Sequence, residues 1–205
     1  MAPDLPPADR EAFRLILASA SPRRRALMRE YGYEVQEVTP RLEEPDWVGR
    51  GLSPQQQAEA LSYFKAGGVA ATVDHGTILA GDTIVTLKGS VFGKPADRDD
   101  ARRILMSLAG TTHHVITGVT LLDAESRRRL IRHDSTAITM RALTSEEVEA
   151  YLDTGAWQGK AGAYGIQDRG DAFVERIDGS FTNVVGLPME LLARMIEEWI
   201  GAPAQ

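Results

Sequence analysis

Short unbroken apolar runs alternate along this chain with stretches where apolar positions recur every three or four residues. The runs predict strands and the spaced stretches predict helices. Residues 13–19 (FRLILAS) form the first strand. A small-residue turn follows, and Pro22 opens a helix with Ser21 as its N-cap. That helix buries Leu27, Met28 and Tyr31 and stops at Gly32. Residues 33–38 predict a second strand, and residues 41–52 an acidic loop containing Pro and Gly. Ser53 to Gln56 has the capping-box form ahead of a helix bearing Ala58, Leu61 and Phe64, which frays at Gly67-Gly68. Residues 77–87 are a strand, turned by Lys88-Gly89 into residues 90–92. Asp97 caps a helix that Gly110 ends. Residues 113–122 and 128–141 predict long strands joined by a polar turn. Thr144 to Glu147 is a second capping box, before Val148, Tyr151 and Leu152. Residues 172–177 predict a late strand and residues 189–200 a closing amphipathic helix. Helices interspersed with strands, some in hairpins, predict an α/β fold with a mixed sheet.

Composition narrows the chemistry. The 205 residues suffice for one sizeable core. We read residues 1–10, with three prolines, as a flexible N-terminal extension and residues 11–201 as a single domain. There is no cysteine, which excludes disulfides, thiolate nucleophiles and cysteine metal sites. The net charge of −6 argues against a broad nucleic-acid face. No apolar run approaches the roughly 18 residues of a membrane span, and the first residues lack a signal core. The expectation is a soluble cytoplasmic protein, with no nucleic-acid or membrane partner.

Five segments carry candidate chemistry. In Ser19-Ala20-Ser21-Pro22-Arg23-Arg24-Arg25 a strand ends and a helix begins, so free N–H groups and guanidinium forks can hold phosphate. Three arginines oppose the helix dipole there and call for a compensating negative group; the other reading is a solvated basic patch. Asp82 in Gly81-Asp82-Thr83 lies within an apolar strand, where a carboxylate needs a metal ion, a water to activate, or a lysine. Otherwise it faces solvent at a strand end. Gly93-Lys94-Pro95 either holds an ammonium at a phosphate or is an exposed turn. Glu43-Glu44, between Pro40 and Pro45, either binds a divalent cation or is an acidic loop. Residues 160–188 are dense in glycine and read as backbone bent around a site, where Gln167 can meet a base edge, or as a hairpin with a glycine-rich turn. The histidines show neither triad nor metal spacing; His113 and His114 read as structural or exposed.

In this order the segments LILASASPRRRALM, GDTIV, GKP, TGVTLL, AGAYGIQ and GSFTNVVGLP resemble the Maf family of nucleoside triphosphate pyrophosphatases, over residues 15–199. The resemblance implies a curved mixed sheet flanked by helices, with two lobes around a nucleotide cleft, similar to inosine triphosphate pyrophosphatases. It implies hydrolysis of a nucleoside triphosphate to the monophosphate and pyrophosphate with a divalent metal cation, magnesium or manganese, and a homodimer. Carried over by motif, Asp82 is the catalytic base or metal-linked acid. Ser19, Arg23 and Arg24 hold the triphosphate, Lys94 adds a cation, and Glu44 and Asp82 ligate metal. Lys65 matches the lysine of a Glu-Lys-Ala segment and is carried over as a substrate-binding residue, but Phe64 replaces the glutamate. If that glutamate helps bind metal, Glu44, Asp82 and water complete the shell here. Gly81 stands where alanine is common, a change expected to matter little. Thr83 and Gln167 resemble the dTTP/UTP branch; the 7-methyl-GTP branch has a Gln after the Asp and a late Ser-Glu pair, both absent. Modified pyrimidine nucleotides are a variant of that substrate expectation. Phe64 lends weight to the alternative, a nucleotide-binding regulator of cell division and septum formation with little turnover.

Overall fold

The computed structural model describes residues 14–41, 51–166 and 172–201. The apolar runs form β1 (Leu15–Ala18), β2 (Gln36–Val38), β3 (Thr77–Leu87), β4 (Ser90–Phe92), β5 (Thr112–Asp123), β6 (Arg129–Met140) and β7 (Val174–Asp178). The spaced stretches form α1 (Pro22–Glu30), α2 (Pro54–Ala70), α3 (Arg98–Leu108), α4 (Ser145–Asp153), α5 (Phe181–Val185) and α6 (Met189–Gly201). Among the described residues the strands make one seven-stranded sheet in the order β2-β1-β3-β5-β6-β7, with β4 on β3. β1 pairs parallel with β2 and β3, whereas β4 on β3 and β7 on β6 are antiparallel. The expected mixed α/β sheet flanked by helices is the fold.

The chain divides into two compact units. One takes in the residues up to Asp82, Thr117–Asp134 and those from Gly186 onward; the other takes in Thr83–Ile116 and Ser135–Val185. β3, β5 and β6 run through both.

In the first unit, α2 covers one face of the strands. Its Ala66, Val69 and Ala70 pack with Ile16, Ala18, Ile78, Ala80, Leu122 and Ala124. The small residues let the helix lie close. At Gly118 of β5 a Cβ would fall 2.2 Å from the Ala58 carbonyl oxygen, so only glycine fits under the helix. Two residues on, the Ser62 and Thr120 hydroxyls are hydrogen-bonded at 2.7 Å and fully buried. α6 buries Met189, Leu192, Met195, Ile196 and Trp199 at helical spacing. The Trp199 indole donates to Thr77 Oγ1 at 3.1 Å, and the Arg128 guanidinium lies over its ring.

In the second unit, α3 buries Ile104, Leu105 and Leu108, and α4 buries Val148, Tyr151 and Leu152. Ion pairs join the two helices: Arg98 and Arg102 both engage Glu149, and Arg98 also reaches Asp153.

Four expectations are corrected. The second strand starts at Gln36, not residue 33. α2 does not fray at Gly67-Gly68 but continues to Ala70. Each glycine costs about 1 kcal/mol in a helix, while burying Val69 beyond them contributes roughly 1.5–3 kcal/mol and Ala70 adds to it, so packing wins. The late strand is shifted to Val174–Asp178. Residues 160–188 are not simply a hairpin: they hold a one-turn helix at Ala161–Ala163, then β7, then α5. The expected N-terminal extension lies outside the described residues.

Candidate functional site

The first unit brings three of the candidate residues together. β3 runs buried through the sheet, and Asp82 points to the face that α2 covers, because side chains alternate along a strand and Ile78 and Ala80 share that face. α2 supplies the partner. Its buried stripe runs Ala58, Leu61, Ser62, Ala66 and Val69, and Lys65 follows Ser62 by three residues on the same side. Its ammonium donates to Asp82 Oδ1. The two side chains are only 17% and 11% exposed, so this is a largely buried ion pair rather than a surface one. Of the three partners weighed for the carboxylate, the fold provides the lysine. Phe64 is partly buried in the preceding position, so the departure from Glu-Lys-Ala leaves the Lys65–Asp82 pair intact.

Arg24 approaches from the other side. A Cβ on Gly81 would stand 3.3 Å from Arg24 Nε, which places the guanidinium against the glycine next to Asp82. Its Nε donates to the Gly186 carbonyl at 2.7 Å. Burial lowers the Arg24 pKa, the Asp82 charge opposes that shift, and the Arg23 charge adds to it. The negative groups demanded by three arginines at one helix start are thereby identified in part: Asp82 and a backbone carbonyl serve Arg24, and Glu37 accepts from Arg25 at 2.9 Å. Gly186 was not singled out from sequence. Its φ of 127°, open to glycine and to few other residues, aims the chain there. A lone glycine in VVGLP was the available signal.

At the α1 start both serine oxygens are in use. Ser19 Oγ accepts from the Ser21 N–H at 3.1 Å, and Ser21 Oγ accepts from the Arg24 N–H at 3.4 Å. A hydroxyl that accepts still has its proton to donate, so Ser19 can offer a hydrogen bond to an anion. Arg23, one residue into the helix, is partly exposed.

In the second unit, Thr83 is partly buried in β3, and the strand alternation turns it to the face opposite Asp82. Lys94 is exposed, and the carbonyl before it accepts from the Gly162 N–H at 3.1 Å. His113, fully buried, has its Nε2 2.7 Å from the Tyr164 hydroxyl, while its Nδ1 is buried without a hydrogen-bond partner among the described residues. Burial pushes its pKa down to about 4, with His114 adding to the shift. Burial also raises the Tyr164 pKa. Glu43, Glu44 and Gln167 lie outside the described residues.

Among the described residues no group of three or more potential metal ligands forms. Asp82 contributes one carboxylate, with Lys65 on Oδ1. A cation such as Mg²⁺ is commonly held by one or two carboxylates, substrate phosphates and water. The donor set fits a cation shared with a polyphosphate. It does not make an all-protein cage.

The family model described as "Maf-like protein" matches residues 14–199. A dTTP/UTP pyrophosphatase of Moorella thermoacetica is 45% identical over 184 residues, covering 88% of this chain and 94% of the relative. One of Pelotomaculum thermopropionicum is 40% identical over 185 residues, covering 90% and 96%. The structure of a HAM1 protein from Coxiella burnetii superposes with a TM-score of 0.52 at 17% identity, covering 91% of this chain and 99% of that one, which is a likeness of fold.

Proposed function

The chain belongs to the Maf family, and from that membership we propose that it is a nucleoside triphosphate pyrophosphatase acting on dTTP and UTP. The observation that carries the reading is the largely buried ion pair between Lys65 of α2 and Asp82 of β3, in a chain 40–45% identical to dTTP/UTP pyrophosphatases over nearly its whole length. A carboxylate placed at such cost in an apolar strand has a use.

Water attacks the α-phosphorus, a new phosphorus–oxygen bond forms, and the bond to the bridging oxygen of the pyrophosphate breaks. Asp82 takes the proton of that water. Lys65 occupies Oδ1, so Oδ2 is the oxygen we assign to the proton. Ser19 and Arg23 at the α1 start hold phosphate oxygens, Arg24 adds positive charge beside Asp82, and Lys94 meets the charge that grows on the leaving pyrophosphate. A divalent cation, when bound, neutralises phosphate charge and acidifies water; Asp82 and Glu44 would hold it. Gln167 reads the pyrimidine edge.

The test is pyrophosphate release from a panel of UTP, dTTP, CTP, GTP and 5-methyl and pseudouridine triphosphates, with Mg²⁺ or Mn²⁺. The reading predicts the highest kcat/KM for UTP and dTTP, or for their modified forms. Chelating the cation should abolish turnover, and restoring it should recover the rate. Equal and negligible rates across the panel would favour a nucleotide-binding regulator instead.

A further inference from the structure

Two motifs far apart in the chain meet within the second unit. The Gly162 N–H donates to the Gly93 carbonyl at 3.1 Å. That carbonyl belongs to the peptide leading into Lys94, and a peptide is planar, so the bond sets the orientation of the Gly93–Lys94 plane. On the other side stands Pro95, whose ring biases the preceding residue to extended backbone. The lysine backbone is held from both ends while its side chain is exposed.

The donor sits in a strained turn. Gly162 has φ 73° and Ala163 has φ 63°, and Ala163 is fully buried. Alanine adopts left-handed backbone only where its surroundings over-determine it. Here they do. The Ala163 N–H donates to the Lys160 carbonyl at 3.1 Å, and the Lys160 ammonium turns inward onto the Ala156 carbonyl at 2.5 Å. A Cβ on Gly162 would fall 2.8 Å from Val85 Cγ2. The next residue, Tyr164, is fixed by its hydroxyl on His113 Nε2 and by an edge-on ring contact at 5.5 Å between centroids.

We propose that this turn is a positioning device for Lys94. Tyr164, anchored on His113, holds the Gly162–Ala163 turn, and the turn holds the peptide from which the lysine projects. Tyr164 and Gly162 act through Lys94 and touch no substrate. The inference rests on the reading of Lys94 as a cation for the leaving pyrophosphate.

The experiment is a double-mutant cycle on the full chain, read by kcat/KM for dTTP and by the inhibition constant of added pyrophosphate. Lys94→Ala is the reference and should weaken pyrophosphate inhibition about 10-fold, as a charge-assisted contact is lost. Tyr164→Phe keeps the ring and removes only the hydroxyl; a lost hydrogen bond predicts a change of about 5-fold in both readouts. In the Lys94→Ala background it should add nothing, because the two act as one unit. If Tyr164→Phe fails to fold, Gly162→Ala, whose Cβ would meet Val85 Cγ2 at 2.8 Å and so push the turn off the Gly93 carbonyl, takes its place in the cycle with the same expected direction. An undiminished effect in the Lys94→Ala background overturns the proposal. So does an unchanged inhibition constant in the folded turn variant while Lys94→Ala is effective. A silent Lys94→Ala removes the reading of Lys94 itself, and the proposal with it.

Discussion

Asp82 and Lys65 are a pair that neither residue explains alone. A carboxylate in β3 without its lysine, or the lysine without its carboxylate, leaves a charge in a poorly hydrated place. Lys65→Met should therefore cost about 3 kcal/mol of stability, and Lys65→Met combined with Asp82→Asn should recover most of it. Urea unfolding of both variants against the unaltered protein checks this. Asp82→Asn alone should stay folded and lose about 10²–10⁴-fold in turnover, the usual contribution of a general base; near-normal kcat would remove the assignment. That Asp82 needed a partner was legible from the apolar residues around it. Which partner was not, because Lys65 meets it only once α2 lies across β3. His113 makes a second residue-scale test. It is held neutral down to about pH 4 in the fold, but in the unfolded chain it takes its proton near its ordinary value of 6.5. Between those values the unfolded chain binds more protons, so stability rises with pH. Acidifying from pH 6.5 to 4 should remove up to about 3 kcal/mol through this group. The urea midpoint of His113→Phe should fall less steeply over that range than that of the unaltered protein.

Among the elements, α2 carries most weight, since it both covers the core of the first unit and delivers Lys65. Its start was legible: Ser53 and Gln56 form the reciprocal capping box that their spacing foretold, as do Thr144 and Glu147 at α4. Its end was not, because two glycines read locally as a stop while Val69 and Ala70 beyond them are buried against the sheet. Among the described residues nothing comes within 4 Å of where a Gly67 Cβ would go. Gly67→Ala should then stabilise the protein by about 1 kcal/mol, raising Tm by roughly 2–4 °C with kcat unchanged. Gly118 is the opposite case, because a methyl there would run into the Ala58 backbone. Gly118→Ala should cost about 3 kcal/mol through overpacking, and it should lower activity by displacing α2. Calorimetry on both variants separates a glycine that merely loosens a helix from one that makes room for it. The isolated glycine in an apolar strand was a usable sequence signal of close backbone approach. The helix that approaches it was not readable from spacing.

Across the whole molecule, kinship over residues 14–199 and the mixed sheet agree with one another. No helix among the described residues is long and apolar enough to cross a membrane. The order of motifs was enough to identify the family, because each motif constrains backbone as well as chemistry: a serine-capped helix start, a carboxylate in a buried strand, a lysine between Gly and Pro. The contacts that tie them together, Arg24 to Gly186 and Gly93 to Gly162, join residues 162 and 69 positions apart and leave no local trace. The central claim is that this chain directs water to the α-phosphorus of a pyrimidine nucleoside triphosphate. The most direct measurement is to run the reaction with dTTP or UTP in heavy-oxygen water and weigh both products by mass spectrometry. The account predicts a monophosphate carrying one heavy oxygen and an unlabelled pyrophosphate. Label in the pyrophosphate, or a diphosphate with free phosphate in place of these products, would contradict it.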